Sequence, residues 1–161
     1  MSIEWAKRVA DARKKYDAEQ LARVQQEALI KSSAGKLWDE LRDEFEVCVQ
    51  EFKREMGPTA IASISLQDVT SSFDNQANKI RLNVGEIARD FTFDPKKSTF
   101  STPGGPVYTV GLKQDADKPD VVVWLNPAGQ PVTSTKIAED EIEKVINGPK
   151  VTLAAGHQRR V

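Results

Sequence analysis

Proton transfer near neutral pH most often runs through histidine, and this chain offers one, His157, in the run His157-Gln158-Arg159-Arg160. A general base needs a ring held rigidly by an orienting partner, and the residues around His157 show no periodicity that would supply a frame. Serine and cysteine nucleophiles that depend on histidine are therefore unsupported. Cys48 is the one cysteine, which excludes an internal disulfide framework and any cysteine-rich zinc site. Its neighbours at helical spacing are apolar, so it reads as a small core side chain rather than a nucleophile. Carboxylates pair at i, i+4 spacing in Asp39 with Asp43 and in Glu139 with Glu143, where a solvated helix face is the ordinary outcome. Asp115-Ala116-Asp117-Lys118-Pro119-Asp120 alternates acids as a calcium loop does but lacks the glycine and distal glutamate such a loop needs. Pro103-Gly104-Gly105-Pro106 has no following helix and no Lys-Ser/Thr to cradle a phosphate. No catalytic, cofactor-binding or metal-ligating residue is assigned, no cofactor is expected, and the balance is against an enzyme.

Charge narrows the partners. The 23 basic and 24 acidic residues leave a net charge of −1, with no basic footprint of the kind that releases counterions from nucleic acid, so none is expected as partner. Phe91, Phe93, Phe100, Tyr108 and Trp124 lie on predicted strands, but few basic residues interleave with them, which favours core packing over base stacking. The apolar run Val121-Val122-Val123-Trp124-Leu125 is far short of the roughly 18 residues that span a bilayer. The opening Met1-Ser2-Ile3-Glu4-Trp5 lacks a signal pattern, and a cytoplasmic location is expected.

The elements that would position any site divide at Gly57-Pro58, where a helical period gives way to alternation. Residues 3–30 contain good helix formers, no Gly and no Pro, with Trp5, Val9, Ala12 and Tyr16 at spacings of four, three and four. The series slips and resumes at Leu21, Val24 and Ala28, so no coiled-coil heptad is sustained. A helix with so thin a stripe needs a surface to lie on, and Trp5, Val9, Tyr16, Leu21 and Val24 are the candidate interaction residues. Ser32-Ser33-Ala34-Gly35 combines capping residues with a helix-weakening glycine and predicts a break or tight turn. A second helix over residues 36–56 carries Leu37, Leu41, Phe45, Cys48 and Phe52, broadened by Trp38, Val49 and Met56, and stops at Gly57-Pro58. The first helix is slightly basic and the second acidic, which favours their pairing within one chain or between two.

Beyond Pro58, residues 61–66 and 77–84 alternate as an antiparallel hairpin around Asp74-Asn75. Residues 89–94 and 98–101 form a second hairpin around Pro95-Lys96-Lys97. Residues 107–112 and 121–125 are the strongest strands, Asn126-Pro127-Ala128-Gly129 is a turn, and residues 130–135 return as an edge strand blunted by Pro131. A helix over residues 136–146, capped by Ser134 or Thr135, ends at Asn147-Gly148-Pro149.

The expectation is an α+β fold: N-terminal amphipathic helices, one long or a hairpin, then an antiparallel sheet of about five to seven strands and a C-terminal helix. Residues 1–57 form a helical association region, 58–149 the sheet with its helix, and 150–161 a mobile tail. The expected function is a non-enzymatic interaction or assembly module acting through the N-terminal helices on a protein partner or a second copy. The alternative is a small-molecule or enzymatic domain with a pocket between sheet and helix, for which Arg81, Asn83 and Thr109 are lining candidates.

Overall fold

A computed structural model describes residues 2–58, 64–70, 77–113 and 121–148. Helix α1, Ile3–Met56, runs 54 residues without interruption, about 80 Å at 1.5 Å per residue. Ser2 caps it, its Oγ accepting from the Trp5 N–H at 3.1 Å, and Gly57 ends it at φ 78°, a left-handed conformation suited to glycine.

The break predicted over residues 32–35 does not form. Ser32 turns its hydroxyl back onto the helix and donates to the Leu29 carbonyl at 3.0 Å instead of capping a new one. Ala34 and Trp38, one turn apart across Gly35, are 2% and 4% exposed. Packing on both sides of the glycine thus holds this segment helical, and tertiary burial outweighs a propensity deficit of about 1 kcal/mol.

Seven strands follow as one meander: β1 Ile64–Thr70, β2 Ala77–Val84, β3 Ile87–Asp94, β4 Thr99–Ser101, β5 Val107–Leu112, β6 Val122–Leu125 and β7 Pro131–Val132. Each pairs antiparallel with the next, in the order β1 to β7. Val84 pairs with Ile87 across a two-residue loop in which Gly85 takes φ 60°, the positive angle that tight hairpin loops require. Asp94 closes the β3–β4 turn by accepting from the Lys96 and Lys97 N–H groups. Asn126 does the same for Ala128 and Gln130, with Gly129 at φ 79°, as the Asn-Pro-Ala-Gly sequence predicts.

Alternation sends one face of every longer strand inward. Ile80, Leu82 and Val84 of β2, Phe91 and Phe93 of β3, Tyr108 and Val110 of β5 and Trp124 of β6 are all buried. Against them α1 sets Ala34, Trp38, Leu41, Phe45 and Val49. The rings meet at Phe100 on β4, whose centroid lies 5.7 Å from Trp38, 5.9 Å from both Phe45 and Phe91, 6.1 Å from Trp124 and 6.2 Å from Tyr108. Helix α2, Ser134–Ile146, completes the core with Ile137, Ala138 and Ile142. Its cap is Thr133, ahead of the predicted Ser134 or Thr135, with Oγ1 accepting from the Lys136 N–H at 3.1 Å.

The same alternation corrects the pocket candidates. Arg81 and Asn83 fall between the buried positions of β2 and Thr109 between those of β5, so all three face away from the core. Arg81 instead forms a two-point ion pair with Asp90, its cross-strand neighbour, at 2.7 and 3.1 Å. The predicted Asp74-Asn75 turn, the acidic loop over 115–120 and the tail over 150–161 lie outside the described residues.

Two stability outcomes follow. Gly35 is exposed and an added Cβ meets nothing within 4 Å, so Gly35→Ala is expected to raise unfolding free energy by about 0.5–1 kcal/mol. Urea titration checks this, and a destabilised variant would indicate a turn at this position. Phe100→Ala is expected to cost about 3–5 kcal/mol in the same titration, because five rings lose a shared partner.

Candidate interaction surface

Among the described residues, none of the first 27 in α1 is buried, and only Gln20 and Leu29 are partly so. Trp5 and Val9 are each 45% exposed, Tyr16 51%, Leu21 59% and Val24 60%, and the first buried side chain along the helix is Ala34. The helix therefore continues past the sheet as an arm of about 40 Å. Such an arm stays helical without contacts of its own because the packed half has already met the nucleation cost. The arm is also rich in alanine and capped at Ser2.

All five candidate residues lie on this arm, but they do not form one surface. At 100° per residue, Trp5, Val9, Ala12 and Tyr16 fall within about 60° of arc, whereas Leu21 and Val24 sit roughly 90–150° round from its centre. Gln20, Arg23 and Glu27 occupy the positions where the stripe would continue. Arg8 and Lys15 border the stripe on one side. Arg13 borders it on the other, its guanidinium 5.3 Å from the Tyr16 ring centroid and its Nε 3.2 Å from Asp17. The usable contact is thus an aromatic and aliphatic strip edged by Arg8 and Lys15 on one side and by the Arg13–Asp17 pair on the other.

The packed half of α1 has the opposite character. Where it meets α2 the two helices leave an open groove of about 520 Å³. Cys48, Phe52, Ile142 and Ile146 are its more sheltered apolar lining, with Val47, 53% exposed, at its outer margin. Glu44 and Glu51 rise from α1 on one side, Glu139 and Glu143 from α2 on the other. Among the described residues Glu44, Glu139 and Glu143 have no ion-pair partner, while Glu51 pairs with Arg54. Burial pushes the Cys48 thiol above its ordinary value, and the negative charges of Glu139 and Glu44 push it further. A thiol in this setting is a weak nucleophile.

A polar cluster that the sequence reading missed joins α2 to β5. Glu141 is 4% exposed, and its Oε2 accepts from Tyr108 Oη at 3.0 Å and from Lys144 Nζ at 2.8 Å. The signal was present: Glu141 stands midway between Ile137 and Val145 on the apolar face of α2, where the i, i+4 spacing points it inward rather than into solvent. Glu141 and Lys144 also border a second concavity, of about 360 Å³, together with Arg89 and Phe91. Among the described residues no group of three or more His, Cys, Asp or Glu is arranged to hold a metal ion, and no helix is long and apolar enough to cross a membrane.

No family model matches this chain, and no curated protein or solved structure shows a match to it.

Tyr108 gives a measurable consequence of the buried cluster. Burial, then the Glu141 charge, then the hydrogen bond to Glu141 raise its pKa well above that of an ordinary tyrosine. The unfolded chain therefore loses the phenolic proton first as pH rises, and stability that is full below about pH 10 declines above it. In a Tyr16→Phe variant, which leaves Tyr108 as the only tyrosine, absorbance at 295 nm is expected to show no phenolate until well above pH 10 while the chain stays folded. Titration near pH 10 in the folded state would contradict the buried arrangement.

Proposed function

We propose that this protein is a non-enzymatic assembly module, with the N-terminal arm of α1 as its contact. One observation carries the reading: a continuous helix, seated on the sheet at one end, presents Trp5, Val9 and Tyr16 about half exposed on one face, with nothing among the described residues to cover them. An isolated apolar residue on a surface is unremarkable. Three large ones in register along a projecting helix match the helix-in-groove mode of recognition, where side chains about one and two turns apart anchor the contact. Tyrosine and tryptophan lose little conformational freedom on ordering, and both are common contact anchors.

The alternative reading, a ligand or enzymatic pocket between sheet and helix, has less to support it. Leu41 and Phe45 are wholly buried in the space such a pocket would occupy. What favours it is the outer concavity by Glu141, Lys144 and Arg89, where a buried carboxylate stands beside two cations.

The test compares the parent chain with Trp5→Ser/Val9→Ser/Tyr16→Ser by light scattering over a concentration series. The parent is expected to associate in the micromolar range, about −8 kcal/mol, and the variant to stay a folded monomer whose unfolding midpoint does not change with concentration. A parent that remains monomeric, or a variant that associates as tightly as the parent, would overturn the reading.

A further inference from the structure

We infer that the arm of one copy docks in the acidic groove between α1 and α2 of a second copy, and that the exchange is reciprocal. The inference rests on the proposed role of the arm as contact and adds the identity of its receptor. Shape, charge and reach each support it. Trp5 to Tyr16 spans about 17 Å along the helix axis, and α2, whose 13 residues bound the groove, spans about 20 Å. The apolar lining of Cys48, Phe52, Ile142 and Ile146 offers a seat for the stripe.

The edges match in sign. Arg8 and Lys15 on one border of the stripe and Arg13 on the other meet rims carrying Glu44 and Glu51 on one side and Glu139 and Glu143 on the other. The segregation extends along the helix: residues 4–18 hold five basic against three acidic side chains, and residues 36–56 four basic against seven acidic. Opposed charge of this kind steers encounter and fixes register more than it adds affinity. Because α1 is one unbroken helix, the arm cannot fold back onto the groove of its own chain, so the match can be made only in trans.

Reciprocal docking sets two copies of α1 antiparallel about a two-fold axis near residue 29, with Val9 of one chain opposite Cys48 of the other. This is an isologous, self-limiting arrangement in which each copy supplies the same two surfaces.

Cys48, the one cysteine in the chain, lies on the groove floor and serves as a ruler. A disulfide forms only when the two Cα atoms come within about 7 Å. Val9→Cys in the full chain, held in a glutathione redox buffer containing oxidised glutathione, is expected to give an interchain disulfide dimer. Adding Cys48→Ser should lower its yield by roughly tenfold or more. Undiminished cross-linking with Cys48→Ser means arms pairing with arms, which overturns this inference and leaves the assembly reading standing. A chain that is monomeric by light scattering overturns both. Because Cys48 is half-buried, a second measurement stands beside the first. Glu139→Lys/Glu143→Lys is expected to weaken association about tenfold, and Arg8→Glu/Lys15→Glu in the same chain to recover part of the loss. Equal association by all three forms would overturn the docking.

Discussion

Phe100 belongs to a strand of three residues, yet its ring meets rings from α1, β3, β5 and β6. Through it the helix is fixed to the sheet. Trp38 stacks on Phe93 with centroids 5.3 Å apart and planes inclined by 9°, and Phe45 tilts against Phe91 at 5.1 Å. Aromatic pairs of this kind add roughly 0.5–1.5 kcal/mol each beyond the burial of their area. Their geometric effect matters as much, because rings in mutual contact allow few alternative packings. The axis of α1 is thereby fixed relative to the sheet.

A fixed axis turns propensity into reach. The packed half of α1 sets Ala34, Trp38, Leu41, Phe45 and Val49 into the core it shares with the sheet. The residues before it inherit a helix already nucleated, and their alanine, lysine, arginine and glutamate need only propagate it. Arg42 strengthens the seat at the sheet margin: its guanidinium lies 5.7 Å from the Trp38 ring centroid and pairs with Asp39 at 2.6 Å and Asp68 of β1 at 3.4 Å. These pairs are partly exposed and contribute modestly to stability, but they tie β1, an edge strand, to the helix. The arm is consequently a lever whose direction is set by the core.

The strands were legible in the sequence because a half-buried antiparallel sheet writes its burial as alternation. β2 was read over the same residues it occupies, and the Asn126 turn followed from residue chemistry alone. The inward or outward sense of an isolated polar residue was not legible in the same way. Arg81 and Asn83 were candidates for the inner face until the register of Ile80, Leu82 and Val84 fixed the phase of the strand. The continuity of α1 was hidden for a different reason. Ser32, Ser33 and Gly35 are local signals for ending a helix, while the force that overrides them comes from Ala34 and Trp38 packing on strands far along the chain. Local propensity cannot report a contact with distant residues. Of the five arm residues, the sequence shows both the apolar set and the slip after Tyr16 that divides it, but not that the set is left exposed, because exposure depends on where the sheet ends along α1.

The segregation of charge between the two halves of α1 has no evident use within one chain. Oppositely charged halves of one helix lie tens of ångströms apart, far beyond the screening length of about 8 Å at physiological salt, so they cannot stabilise each other. Nor do all the acids around the groove serve the fold: Glu44 of α1 and Glu139 and Glu143 of α2 line it without an ion-pair partner among the described residues, and crowding like charges around it costs stability. The same arrangement is favourable if a cationic strip lies between the rims, where each carboxylate gains an opposite charge and the apolar floor loses its contact with water. A monomer would carry an exposed aromatic stripe and a self-repelling groove at separate ends, whereas a reciprocal dimer relieves both with surfaces that each copy already has. Under the proposed docking, features that look unfavourable in one chain would become complementary between two.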